Sequence, residues 1–148
     1  MATMKQRFDI REHKLWGKCS IGNDVYISDM ARVRGRLMTI EIEDGAVLSD
    51  FVMLLAEAPL HIGTNVRLSF QTAIIAHERV RICSDVIIGV GAKILSGVNT
   101  EHGWHAKFVE IGTGSVISAG AVVMPGVQLP PGSFIGVNEV VYAGTDPT

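Results

Sequence analysis

Two histidines, His102 and His105, lie three positions apart in the stretch NTEHGWHAKFVEIG, residues 99–112. An imidazole titrates near neutrality, so it can take a proton from an alcohol at pH 7 and later return it to a leaving group. A different chemistry, zinc binding, needs three histidines converging on one point. His77, His102 and His105 can be nominated for that, with His61 as a spare. The bland alternative is that both histidines are ordinary exposed loop residues. The choice depends on the elements that hold this stretch.

Those elements are legible as a repeat. From residue 21 onward, six-residue units each begin with an aliphatic leader. The leaders are Ile21, Ile27, Val33; Ile42, Leu48, Leu54; Ile62, Leu68, Ile74; Ile82, Ile88, Ile94; Ile111, Ile117, Val123; Leu129, Ile135 and Val141. Four residues after each leader the chain is mostly small or apolar, as at Val25, Ala31, Val66, Ala92, Ala121 and Val127, with Glu78 and Glu139 as departures. Strand side chains alternate, so positions i+4 and i+6 share the inward face. The remaining residues turn a corner, where IG and PG units supply flexible backbone. A period of six fits neither an α-helix nor a coiled coil.

One unit therefore makes one flat side, and three make a roughly triangular coil of eighteen residues. Extra residues fall at 39–41, 60–61, 80–81 and 100–110, each after a third unit. The spacing predicts an all-β parallel β-helix of about six coils over residues 21–148, a single domain whose insertions emerge from one corner. Residues 1–20, with Phe8, Leu15 and Trp16, are out of register and are expected to cap the first coil, whose strand edges would otherwise be exposed.

Composition narrows the function classes. Hydrophobic residues are 47% and charged residues 19% of 148, which suits a folded domain rather than a disordered chain. Net charge is −2 with no basic run, and aromatics are 6%, so neither nucleic acid nor an anionic membrane surface is an expected partner. No uncharged apolar run approaches the roughly 18 residues of a membrane span, and MATMKQRFDIREHKLW has no apolar core of a secretion signal. Cys19 and Cys83 form no CxxC pair and read as free thiols, consistent with a cytoplasmic protein.

The coil with IG at its turns resembles the hexapeptide-repeat, left-handed parallel β-helix family over residues 21–146. The ending VEIGTGSVISAGAVVMPGVQLPPGSFIGVNEVV is similar to that of the galactoside, maltose and polysaccharide O-acetyltransferases. The resemblance implies a left-handed helix and acyl transfer from acetyl-CoA without an acyl-enzyme or a metal. It also implies a homotrimer with active sites between subunits. Outward apolar residues such as Val116, Val122, Phe134 and Val140 agree with packing three prisms together. By its place before this ending, the 100–110 insertion is the family's catalytic loop. His102 then stands where the sugar acetyltransferases place the base, and His105, in WHAK, is its competitor.

The same resemblance implies donor contacts at Ser118, Ala119, Val137, Tyr142 and Ala143. The family's VWIG tryptophan is Val116 here, its TKD segment reads Tyr142-Ala143-Gly144, and Lys107 is the cation offered in place of the missing lysine. For the acceptor it implies Ser69, Gln71, His77 and Glu78, placed one coil before the loop at the same corner, together with Trp104. Glu78 attracts attention because it breaks the small-residue rule at an inward position, although a strand bending outward would leave it in solvent. The expected acceptor is a hydroxyl of a sugar or of a surface-polysaccharide precursor. The alternatives are an antibiotic hydroxyl, a non-catalytic β-helix subunit, and a zinc enzyme like the gamma-class carbonic anhydrases.

Overall fold

A computed structural model describes residues 15–16, 19–35 and 40–144. Among them the leaders lie on short strands that build three parallel sheets, one for each side of a triangular solenoid. The first face contains β2 (Cys19–Ile21), β5 (Ile40–Ile42), β8 (Leu60–Ile62), β11 (Val80–Ile82), β16 (Val109–Ile111) and β19 (Gln128–Leu129). The second contains β3 (Tyr26–Ile27), β6 (Val47–Leu48), β9 (Arg67–Leu68), β12 (Ile87–Ile88), β17 (Val116–Ile117) and β20 (Phe134–Ile135). The third contains β1 (Leu15–Trp16), β4 (Arg32–Gly35), β7 (Met53–Ala56), β10 (Ala73–Ala76), β13 (Lys93–Leu95), β18 (Val122–Val123) and β21 (Val140–Val141). Strand order within each sheet follows coil order, so every coil lies on its predecessor.

The core runs along the axis. Ile42, Ile62, Ile82, Ile111 and Leu129 are successive register partners on the first face. Leu48, Leu68, Ile88, Ile117 and Ile135 form the matching column on the second. Leu54, Ile74, Ile94, Val123 and Val141 form it on the third. None of these fifteen is more than 4% exposed. Burying each such side chain contributes about 1.5–3 kcal/mol before entropy is counted. Ile21, at the first coil, is only partly buried and packs against the same core.

The corners need backbone that turns sharply. The first corner, between first and second faces, has positive φ at Asp24, Gly45, Asn65, Asp85, Gly114 and Gly132. The second, between second and third faces, has it at Phe51, Gln71, Gly91, Gly120 and Asn138. Gly, Asn and Asp tolerate this left-handed conformation best, which explains their recurrence. Phe51, with φ 63° and its ring exposed, and Gln71, with φ 61°, are the two exceptions.

Coil length departs from a uniform eighteen. Leu54 pairs with Ile74 and Ile74 with Ile94, each twenty positions on. After residue 111 the step is eighteen, as between Ile111 and Leu129 or Val123 and Val141, the same as between Leu15 and Val33 at the start. The residues expected as insertions at 60–61 and 80–81 lie inside β8 and β11 rather than in loops. Longer sides absorb them: β7 and β10 have four residues where β18 and β21 have two. Residue 39 of the 39–41 insertion lies outside the described residues.

This lengthening also moves Glu78. In the longer coils the inward residues around the third corner are Ala76 and Val80, both 0% exposed, and Glu78 between them faces solvent. Of the two readings of Glu78, the one in which the strand bends outward and leaves it in solvent is therefore the one observed. Buried Ser96 fills in behind it, its hydroxyl accepting from the Glu78 N–H at 2.9 Å and donating to the Glu78 carbonyl at 2.6 Å. Glu139 is exposed for another reason. It belongs to the last described coil, whereas Ala121, at the same place one coil earlier, is fully buried.

Near the N-terminus, Leu15–Trp16 forms β1. It pairs in parallel with β4, Leu15 opposite Val33, and extends the third face by one rung. The rest of the expected cap, residues 1–14 and 17–18 with Phe8, lies outside the described residues.

The axial columns predict a sharp contrast within one strand. Leu68→Ala, which empties the centre of the second-face column, should cost about 2–5 kcal/mol in denaturant unfolding. Arg67→Ala, one residue away and outward, should stay within about 0.5 kcal/mol. Equal effects would contradict the assigned inward and outward faces.

Candidate functional site

The third corner, between third and first faces, is where the coil is interrupted. After β13 the chain leaves the prism as an antiparallel hairpin, β14 (Gly97–Thr100) and β15 (Gly103–Ala106), then re-enters at β16. The register pairs Gly97 with Ala106, Val98 with His105, Asn99 with Trp104 and Thr100 with Gly103. Glu101 and His102 form the tip. Gly103, at φ 106°, closes the turn, and the Thr100 hydroxyl accepts from the His102 N–H at 3.1 Å.

A small cluster anchors the hairpin. The Trp104 indole meets the His77 imidazole edge-on, with ring centroids 4.8 Å apart and planes at 84°. His77 Nδ1 lies 3.5 Å from Glu57 Oε2, one coil earlier at the same corner. Gly97 makes this packing possible, because a Cβ there would lie 2.6 Å from Trp104 Cζ2 and 2.7 Å from His77 Cβ. The site thus rests on a glycine, an indole and a carboxylate that holds one edge of an imidazole.

The two loop histidines are held differently. His102 is 81% exposed, and its Nε2 lies 3.4 Å from the neighbouring Glu101 carboxylate. His105 is exposed on β15. His61 is separate, on the outer side of the first face, its Nε2 2.9 Å from Glu43 Oε1. Glu43 also accepts from the Thr64 hydroxyl at 3.1 Å. The His61 hydrogen bond, followed by that of Thr64, holds the Glu43 carboxyl below the usual carboxylate range. Among the described residues no group of three or more His, Cys, Asp or Glu side chains is placed to hold a metal ion. His13 lies outside them.

The expected binding residues fall into two columns that flank the third face. Ser69, Gln71, Ser118, Ala119 and Val137 line the second corner. His77, Glu78, Trp104, Lys107, Tyr142 and Ala143 gather at the third. Ser69 and Gln71 were expected at the loop's own corner; instead β10 separates them from His77, at roughly 3.3 Å per residue. Lys107 and Ala143 do come together, since a side chain at Gly126 would meet Lys107 Cδ at 3.0 Å and Ala143 Cβ at 3.2 Å. Sequence reasoning missed Glu57 and Gly97. Their signal was weak, because a solvent-facing glutamate and a glycine beside a serine carry no pattern of their own.

One curated protein, "Putative acetyltransferase YvoF" of Bacillus subtilis (strain 168), is 35% identical to this chain over 94 residues. The match takes in 56% of this chain and 47% of that protein, so the chain spans about half the length of the relative it matches. No family model matches the chain.

Two measurements test this geometry. Gly97→Ala should displace the Trp104 indole at a cost of about 1–3 kcal/mol, seen as a changed emission spectrum in a Trp16→Phe background. An unchanged spectrum would mean that the indole does not pack over Gly97. His61→Ala should raise the Glu43 pKa toward the ordinary carboxylate value, followed by carboxyl NMR titration. Because the folded pKa is depressed, the stabilisation from this pair is present at neutral pH. It should fade as pH falls from about 4 through the lower folded value.

Proposed function

We propose that the protein is an acetyl-CoA-dependent O-acetyltransferase whose acceptor is a hydroxyl of a sugar or surface-polysaccharide precursor. The observation that carries this reading is the hairpin, which interrupts the solenoid with two histidines and packs against a third, His77. The partial relationship to an acetyltransferase-named protein supports it.

Direct transfer accounts for the residue types. His102, with His105 as its competitor, takes the acceptor hydroxyl proton as the oxygen attacks the thioester carbonyl. A backbone N–H steadies the tetrahedral oxyanion. The C–S bond then breaks, and the imidazolium returns its proton to the departing thiolate. Neither cysteine is required; burial pushes the Cys19 thiol up, away from a ready nucleophile. The donor lies along the C-terminal coils, with Ser118, Ala119 and Val137 on one side and Lys107, Tyr142 and Ala143 on the other.

The assembly is a homotrimer. His102 stands at an exposed hairpin tip, its Nε2 near the carboxylate of its own neighbour Glu101, and in the trimer a neighbouring subunit would supply the surface against which it works. The outward residues Tyr26, Ile87 and Phe134 of the second face and Met53 and Val140 of the third, each 45–58% exposed, suit burial between copies.

The deciding measurement is thermal unfolding with and without acetyl-CoA. A donor binding the folded state at 100 times its dissociation constant should add about 2.7 kcal/mol. His102→Ala should then lower transfer by roughly 10²–10⁴-fold without removing that shift, and His105→Ala should have the smaller effect. No acetyl-CoA shift would overturn the reading in favour of a non-catalytic solenoid.

A further inference from the structure

The third corner divides two unlike surfaces. On one side lie His77, Trp104 and the hairpin. On the other, along the first face, runs a groove of about 460 Å³ lined by Glu41, His61, Arg81 and Glu110, with Arg79 and Phe108 at its corner end. The first four sit on successive coils as register partners, Glu41 with His61, His61 with Arg81 and Arg81 with Glu110. Ser20 and Gln128 continue the column at either end. Every outward position of this column is therefore polar. The corresponding column of the second face reads Tyr26, Val47, Arg67, Ile87, Val116 and Phe134.

We propose that this groove binds a neutral, hydroxyl-rich chain, a run of a few linked sugars lying along the solenoid axis. The chain passes its reacting unit over the third corner to the hairpin. Only that last step rests on the transferase reading; binding in the groove does not.

Charge selects the ligand class. An anionic chain would meet Glu41 and Glu110, and a cationic one would meet Arg79 and Arg81. A hydroxyl avoids both conflicts, because it donates to a carboxylate and accepts from a guanidinium. Arg81 attracts the Glu43 carboxylate through space, but the ion pairs His61–Glu43, His77–Glu57 and His102–Glu101 among the described residues do not include Arg81, Glu41 or Glu110. Arg79 stacks on the Phe108 ring at 4.5 Å, giving a flat wall that is apolar on its ring and hydrogen-bonding at its rim. A pyranose presents the same combination.

Length and direction agree. Glu41 to Glu110 covers four coils, and three coil spacings are about 14 Å, room for several linked sugars but too long for one. Arg79 is two residues from His77, and Phe108 is two residues beyond the end of β15, so a chain leaving the groove at this end arrives beside Trp104. An all-polar column is also the side least suited to packing against another copy, which leaves it open in an assembly built on the other two faces.

The test uses the whole protein with maltotetraose and cellotetraose as neutral probes, glucose as the monomer and tetragalacturonate as the acidic control. Calorimetry and amide NMR would follow binding. At least one neutral tetrasaccharide should bind about tenfold or more tighter than glucose and move the amides of Glu41, His61, Arg81 and Phe108. Arg81→Ser and Phe108→Ala should each weaken it about tenfold while thermal unfolding stays near the parent value. Tighter binding of tetragalacturonate, equal binding of glucose, or no shift with either neutral tetrasaccharide would overturn the proposal. Groove binding without any acetyl-CoA shift would instead remove the transferase reading and leave the groove standing. Acetyl transfer to glucose and tetrasaccharides with the same KM, and no groove shifts, would do the reverse.

Discussion

Everything in this molecule depends on one coil lying in register on the next. An aliphatic side chain at each inward position stacks on its counterpart one coil away, as Leu54, Ile74 and Ile94 do. The backbone bonds that link coils, such as Tyr26 N–H to Ala46 C=O and Val47 N–H to Val66 C=O, keep that stacking aligned. A slip of one residue would turn a whole column outward, because strand side chains alternate. Register is thus enforced by burial, and the outer surface is free to carry other chemistry.

That freedom is unequal among the corners. The first and second corners repeat nearly the same turn in each coil, using residues that accept positive φ. The third corner tolerates change. The coil there shifts from a twenty-residue to an eighteen-residue step, and between the two the hairpin is inserted. Inward contacts on both sides of the insertion survive because Ile94 still stacks on Val123, and Ile82 on Ile111. A loop can be lengthened at that corner without disturbing the core, which is why the side chains suited to chemistry collect there.

The three faces differ in their outward residues in a way that complements this. The first is polar along its column, and the second is mainly apolar. The third is flanked by the residues proposed to hold donor and acceptor. In the proposed reading the prism assembles through its apolar sides, reacts at a corner and meets solvent or a long ligand on its polar side. The Glu57–His77–Trp104 contacts tie the corner to the body of the solenoid, so the hairpin has a defined tilt even though its tip is exposed.

The sequence by itself determined the solenoid. A leader every six residues fixes three sides per coil, and the small or apolar i+4 residues fix which way they face, as Val66, Val86 and Ala92 show by being fully buried. It also located the interruption and its histidines, because a break in a strict repeat is visible without coordinates. Tertiary structure alone decided what surrounds them. Residues 60–61 and 80–81 looked like loop insertions and became strand, since the sides could lengthen without losing inward contacts. Glu78 turned outward for the same reason. Glu57 reached His77, Gly97 made room for Trp104, and Ser69 and Gln71 fell at a different corner. The repeat encodes inward burial, which is periodic along the chain. Contacts across a corner join residues roughly a coil apart, and their meeting is fixed only once the coils have stacked.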